Sequence, residues 1–106
     1  MTVYNKLVRD KIPAIIEAAG EKPNIRILDD KEYCHCLETK LDEEVTEFHK
    51  EKNLEELVDI LEVVYALTET LGHSRTELNA LQKQKWEKRG GFRERFFLVS
   101  KERFPG

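Results

Sequence analysis

The segment from Leu54 to Leu71 constrains the fold most, because it is apolar on almost every side of the helix that it predicts. Its one polar stripe consists of Glu55, Glu62 and Glu69, which are seven residues apart and predict the solvent-facing side. Such a helix needs more neighbours than a chain of 106 residues readily supplies. We therefore expect a homo-oligomer, either a dimer or a tetramer, with this helix at or near the interface.

Two short blocks on the predicted helices each hold two acids three residues apart. They are Glu44 with Glu47, and Glu56 with Asp59. Side chains at this spacing lie on one face of a helix within one turn. Acids at such a spacing are most often ordinary surface residues of a helix. A short polar break between the blocks nevertheless suits a helical hairpin, which would fold one block against the other.

The position of the acids among apolar residues distinguishes them from ordinary surface acids. Glu44 falls inside an apolar stripe at helical spacing, and Glu56 and Asp59 share the apolar side of the next helix. The stripe around Glu44 consists of Cys34, Leu37, Leu41, Val45 and Phe48. An unpaired carboxylate on a buried face is costly, and a shared divalent cation would compensate it. We assign Glu43 and Glu55 to the solvent.

Capping residues divide the chain into four predicted helices. The first is capped by Asp10, with Pro13 in its first turn and Gly20 as its stop. Asp29 with Glu32 predicts a capping box for the second helix, which runs to about His49. Asn53 is the predicted cap of the third helix, and Glu56 is either its capping partner or a metal ligand. Ser74 with Glu77 predicts a capping box for a fourth helix, which Gly90 and Gly91 end.

These signals predict an all-α domain over residues 1–106, in which about four helices form an antiparallel bundle. Short extended segments are expected near residues 25–28 and 92–99, and the second of these could instead be a loop that packs its aromatic side chains on the bundle.

Charge and composition exclude several classes of partner. The net charge is −3, with 18 basic and 21 acidic residues, which argues against a nucleic-acid binder. The apolar run from Ile60 to Leu67 contains Glu62 and is too short to span a bilayer, so no membrane partner is expected. Cys34 and Cys36 diverge on a helix and cannot easily form a disulfide, which fits a soluble cytoplasmic protein.

Three cations accompany the acids on the predicted helices. Lys85 and Arg89 follow Leu78 and Leu81 on about the same stripe of the fourth helix. They could bind phosphate, or they could simply stabilise the helix by placing positive charge at its C-terminus. Lys40 borders the face of Glu44 and Glu47, and it could bind phosphate or tether Glu44 at a spacing of four residues.

The acidic blocks carry a resemblance to a known family. The runs Lys40–Glu47 and Glu56–Leu61 resemble the MazG-like all-α nucleoside triphosphate pyrophosphohydrolases, whose signature is E-x-x-E followed by E-x-x-D. Residues 4–13, together with Lys85 and the Arg89–Phe92 run, are similar to the small single-domain, phosphoribosyl-ATP pyrophosphohydrolase-like branch. This similarity extends over nearly the whole chain.

The resemblance implies Mg²⁺-dependent hydrolysis of a nucleoside triphosphate to the monophosphate and pyrophosphate, with Mn²⁺ as an alternative ion. It implies Glu44, Glu47, Glu56 and Asp59 as metal ligands and catalytic residues, in a dimeric or tetrameric helical assembly. Lys40, Lys85, Arg89, Lys6 and Arg9 are the candidates that would hold the phosphates.

Three questions stay open at the level of sequence. The substrate could be phosphoribosyl-ATP of histidine biosynthesis, because the acidic signature is shared by enzymes that act on different nucleotides. A different class of function, a non-catalytic helical module that binds a nucleotide or a partner, would keep the same acids for structure. The carboxylate that accepts the proton, the phosphorus attacked and the number of metal ions are likewise undetermined.

Overall fold

The computed structural model describes residues 1–105 and contains four α-helices in that range. They are α1 (Ile12–Ala18), α2 (Asp30–Glu51), α3 (Leu54–Thr70) and α4 (Arg75–Arg89). No strand occurs within these residues, so the all-α prediction is confirmed. No helix among them has the length and hydropathy needed to cross a bilayer. The chain divides into two compact units, Met1–Ser74 and a second unit that begins at Arg75.

Helices α2 and α3 form a hairpin with a connection of only two residues, as the polar break predicts. Lys52 ends α2 in the left-handed conformation, with φ of 49°, and its N–H donates to the carbonyl of Phe48 at 2.8 Å. Asn53 then caps α3 by accepting from the N–H of Glu56 at 3.0 Å. A connection this short makes the two helices antiparallel neighbours.

The core of this unit lies between α2 and α3. Leu37 of α2 and Val63 of α3 are its buried apolar side chains, with 3% and 6% of their surface exposed. The buried hydroxyl of Thr68 donates to the carbonyl of Val64 at 2.7 Å, which satisfies it within its own helix. Val45 lies at the edge of the predicted stripe, because 36% of its surface is exposed. The core is therefore small, and it occupies one side of each helix.

The opposite side of α3 carries an uncovered apolar surface. Leu54, Leu57, Val58 and Leu61 follow one another at helical spacing and are 74%, 45%, 50% and 45% exposed. We call this surface the apolar face of α3. Glu55, Glu62 and Glu69 are exposed as predicted, so solvent reaches α3 on two sides.

Helix α1 begins differently from the prediction. Its N-cap is Lys11, which makes no side-chain cap, so the assignment of Asp10 as the cap was wrong. Pro13 lies in the first turn, where its missing N–H costs nothing, and it starts the helix without a capping side chain. Gly20 follows the helix with φ of +86°, in agreement with its predicted role as the stop.

The segment between α1 and α2 forms no strand, although an extended piece was predicted at residues 25–28. Arg26 holds this segment on α2 through two bonds to the carboxylate of Glu32, at 2.8 and 3.2 Å. The N–H of Glu32 donates to Asp29 at 2.8 Å, which confirms the predicted cap. The side-chain bond to Arg26 lowers the pKa of the Glu32 carboxyl most, and an interaction with the Asp29 backbone lowers it as well.

The second unit consists of α4 and the segment after it. Helix α4 ends at Arg89 and is followed by Gly90 with φ of +78°, as predicted. Residues 92–95 form a turn, in which the N–H of Arg95 donates to the carbonyl of Phe92 at 3.2 Å, so the expected extended run does not start at residue 92. Phe92, Phe96 and Phe97 are 98%, 90% and 88% exposed.

Candidate functional site

Three carboxylates from the two acidic blocks lie together on the α2–α3 hairpin. One oxygen of Glu44, one of Glu56 and one of Asp59 all lie within 4.8 Å of one another. All three side chains are half-buried. We call these three residues the acidic group.

The hairpin connection positions the acidic group. Glu44 and Asp59 each lie about two helical turns from the connection, on opposite sides of it, so antiparallel packing brings them to the same level. Glu56 lies in the first turn of α3, where its N–H is capped by Asn53 while its side chain joins the group. The Glu56 side chain was predicted to be either the capping partner of Asn53 or a metal ligand. It lies with the carboxylates of Glu44 and Asp59, and metal binding stays a prediction.

Glu47 is exposed and lies outside the acidic group. A spacing of three residues turns its side chain about 60° around the helix axis from that of Glu44. On α2 this rotation moves it past the edge of the contact with α3. Val45 lies about 100° from Glu44 in the opposite direction and is also exposed, at 36%. Glu43 and Glu55 are exposed, as predicted.

Two cations lie on the acidic group. Nη2 of Arg9 is 2.6 Å from Oδ1 of Asp59, and this pair joins residues 50 positions apart in the chain. Nζ of Lys40 is 3.5 Å from Oε1 of Glu44, so the predicted tether at a spacing of four residues is present. The second pair is the better covered, with side chains 22% and 16% exposed against 52% and 40% for the first.

The electrostatics of Glu56 show that the group still carries excess negative charge. Partial loss of water contact raises the pKa of the Glu56 carboxyl, and the carboxylates of Asp59, Glu44, Glu47 and Glu51 raise it further. A position in the first turn of a helix would by itself favour the negative form. The raised pKa of Glu56 therefore reflects burial first and the neighbouring carboxylates second.

The chemistry of these donors fits a hard divalent cation. Magnesium takes oxygen ligands at about 2.1 Å in octahedral geometry, which corresponds to oxygen pairs about 3 Å apart for neighbouring ligands and about 4.2 Å for opposite ones. The acidic group spans up to 4.8 Å, so a small adjustment of side-chain torsions would bring its three oxygens to these distances. Waters or phosphate oxygens would complete the shell.

Lys6, Lys85 and Arg89 are the other cations predicted to hold phosphate. Lys6 is exposed, with its Nζ 5.4 Å from the centre of the Tyr4 ring. Lys85 and Arg89 are exposed on α4, in the second unit. Cys34 and Cys36 are free and half-buried, as expected for residues that diverge on a helix.

A groove at the open end of the hairpin offers no comparable chemistry. It is lined by Asp30, Tyr33, Cys34, Glu69 and Thr70. Burial raises the pKa of the Tyr33 hydroxyl, and Glu69 and Asp10 raise it further, so this tyrosine stays protonated. Two acids and a neutral phenol are a weaker set of ligands than the three carboxylates of the acidic group.

Sequence patterns did not indicate that Arg9 contacts Asp59. Arg9 lies in a segment without helix or strand, and no periodicity connects it to α3. The resemblance named Arg9 as a candidate for phosphate at the same site, but opposite charge alone could not select Asp59, because the chain holds 18 basic and 21 acidic residues that could pair in many ways.

Comparison with known proteins found a relative that matches part of the chain. Over 42 residues the chain is 57% identical to an uncharacterized protein of Mycolicibacterium smegmatis, a match that covers 40% of this chain and 43% of the other. The match thus spans less than half the length of that relative. No protein-family model and no solved structure matches the chain.

Proposed function

We propose that this protein is a divalent-cation-dependent nucleotide pyrophosphohydrolase, which cleaves a nucleoside triphosphate between the α and β phosphates to give the monophosphate and pyrophosphate. The observation that carries the proposal is the acidic group, in which Glu44, Glu56 and Asp59 bring their oxygens within 4.8 Å. The resemblance of the two acidic blocks to the MazG-like hydrolases supports it.

In this proposal Glu44, Glu56 and Asp59 hold the cation, for which Mg²⁺ is the first choice and Mn²⁺ the alternative. When bound, the ion supplies positive charge to the phosphate oxygens. One carboxylate of the two blocks takes a proton from the attacking water, and water adds to phosphorus as the bridging oxygen leaves with pyrophosphate or with the monophosphate. Glu47 is exposed outside the acidic group, and it contributes negative charge without binding the cation directly.

Cations of the chain hold the phosphates in this proposal. Arg9 and Lys40 already lie on the acidic group, at 2.6 Å from Asp59 and 3.5 Å from Glu44. The resemblance assigns Lys85 and Arg89 the same task, with Lys6 as a further candidate. Arginine suits this role because its planar group can make two parallel bonds to a phosphate.

We also propose that the protein works as a homodimer or homotetramer in the cytoplasm. The support for assembly is the apolar face of α3, where four large side chains are 45% to 74% exposed. The support for a reducing compartment is the pair of free cysteines, Cys34 and Cys36.

The test of the reaction is a turnover panel with purified protein. Each common nucleoside triphosphate and phosphoribosyl-ATP would be incubated with Mg²⁺ or Mn²⁺, and monophosphate and pyrophosphate would be measured together. We expect equal amounts of the two products from at least one nucleotide, and no product when a chelator is present. Nucleotide binding without any turnover across the panel would contradict the enzyme and favour the non-catalytic binding module.

A further inference from the structure

The N-terminal segment contacts the acidic group through the ion pair between Arg9 and Asp59. Arg9 belongs to the stretch before α1, which has no helix or strand, and its guanidinium bonds to Asp59 of α3 at 2.6 Å. The carbonyl of Arg9 accepts from the N–H of Ile12 at 3.0 Å, so the residue is fixed to the start of α1 by its backbone. The side chain is 52% exposed and has room to turn away.

The two cations on the group differ in how easily they can leave it. Lys40 is on the same helix as Glu44, one turn away, and this pair is mostly covered. Arg9 comes from outside the hairpin, and both members of its pair are substantially exposed. An exposed ion pair contributes little to stability, so a stronger ligand of Asp59 can break it at small cost.

A divalent cation at the acidic group would act on Arg9 in two ways. It would bind the carboxylate of Asp59 that Arg9 now holds, and its charge would repel the guanidinium. A polyphosphate bound to the cation would in turn offer several oxygens to Arg9, and the planar guanidinium could donate two parallel hydrogen bonds to them.

We propose that Arg9 is an exchangeable counter-ion of the site: it holds Asp59 before the cation binds, the cation displaces it, and the released guanidinium then binds the polyphosphate of the substrate. This inference rests on the proposed function, because it needs a cation at the acidic group. It adds an order of events, in which Arg9 opposes the binding of the metal and assists the binding of the nucleotide.

The first experiment measures Mn²⁺ binding by calorimetry or electron paramagnetic resonance, with no nucleotide present. Arg9→Ala should bind Mn²⁺ about three- to tenfold more tightly than wild type, because the competing charge is gone. Arg26→Ala is the matched control: it also removes an exposed arginine paired with an acid, but Glu32 is outside the acidic group. Equal affinity of Arg9→Ala and wild type, or equal tightening in both variants, would overturn the exchange.

The second experiment measures binding of a non-hydrolysable triphosphate analogue at saturating Mn²⁺. Here the effect of Arg9→Ala should reverse, with about tenfold weaker binding of the analogue, while Arg26→Ala matches wild type. A variant that changes both affinities in the same direction would contradict a residue that exchanges between two partners.

A third measurement uses the wild-type protein alone. Hydrogen exchange of the Ile12 amide, which donates to the carbonyl of Arg9, should become faster when Mn²⁺ is added without nucleotide, because Arg9 is no longer held by Asp59. Unchanged or slower exchange, in a sample shown to bind Mn²⁺, would overturn the displacement and leave the proposed reaction standing. Absence of any Mn²⁺ binding by wild type would overturn the metal site itself, and the exchange with it.

Discussion

The two acidic blocks share one spacing and differ in what surrounds them. On α3 both acids, Glu56 and Asp59, are half-buried members of the acidic group. On α2 only Glu44 belongs to the group, and Glu47 is exposed. A spacing of three residues selects one side of a helix, but the width of the contact with the neighbouring helix decides which acids can share an ion.

The largest effect expected from this difference is on turnover. Asp59→Asn keeps the shape of the side chain while it removes a charge that holds the cation, so kcat/KM should fall by about 100- to 1,000-fold. Glu47→Gln should lower it by about tenfold or less, since Glu47 acts only at a distance. Both variants would be assayed for pyrophosphate release at saturating Mg²⁺.

Circular dichroism would first establish that both variants keep their helices. An equal loss of kcat/KM in Asp59→Asn and Glu47→Gln would contradict the proposed difference between the two blocks. It would mean that Glu47 is a ligand, as the resemblance of the two acidic blocks to the MazG-like hydrolases implies.

The apolar residues between the acids give the next comparison. Leu57 and Val58, inside the α3 block, are 45% and 50% exposed on the apolar face, whereas Val45 of the α2 block is 36% exposed. Replacing Leu57 and Val58 together by Lys should weaken self-association by at least about 100-fold, because burying each side chain fully is worth about 1.5–3 kcal/mol. Light scattering over a range of protein concentrations would measure the change.

Val45→Lys is the control for that experiment and should associate like the wild type. A wild-type protein that stays monomeric at micromolar concentration would refute assembly through α3. Dissociation by Val45→Lys as well would mean that the interface extends over both blocks.

The smallest effect concerns the stability of the fold and its dependence on pH. Because the folded-state pKa of Glu56 is raised, the folded protein binds this proton more tightly than the unfolded chain does. The contribution of Glu56 to stability therefore falls as pH rises from its ordinary pKa to the raised one, and the loss persists at neutral pH. Glu56→Gln should consequently raise the Tm at pH 7 without metal, and this gain should disappear at pH 3.

Glu62→Gln, at an exposed position of α3 outside its first turn, should leave the Tm unchanged at both pH values. Added Mg²⁺ should stabilise the wild type and do so less for Glu56→Gln, because a ligand that binds only the folded state raises its stability. A Tm of Glu56→Gln below that of wild type at pH 7 without metal would contradict the excess negative charge in the acidic group.

Local chemistry was enough to predict most of the helices and part of the site. Asp29 and Asn53 cap α2 and α3 as expected, because a cap depends on a side chain and an N–H only a few residues away. The inward position of Glu44 followed from its apolar neighbours and is confirmed by its cover, with 16% of the side chain exposed. Asp10 failed as a cap because Pro13 can start a helix without one.

Features that depend on contacts between distant parts of the chain could not be predicted from local sequence patterns. The exposure of Glu47 depends on how wide the contact with α3 is, which the sequence of α2 does not contain. The contact of Arg9 with Asp59 depends on the path of a segment that has no periodic structure. Whether the acidic group binds an ion, and whether four helices form one bundle, stay predictions.

The two-residue connection at Lys52 and Asn53 has a further consequence for how this site could be lost. The connection sets which turns of α2 and α3 lie side by side, since nothing else joins the two helices along the chain. One residue inserted within α2 between Glu44 and the connection would move Glu44 by about 1.5 Å along the helix and turn it by about 100°, away from Asp59. The alignment of the acids is thus a property of chain length, and a single insertion would erase it with each of those acids still in the sequence.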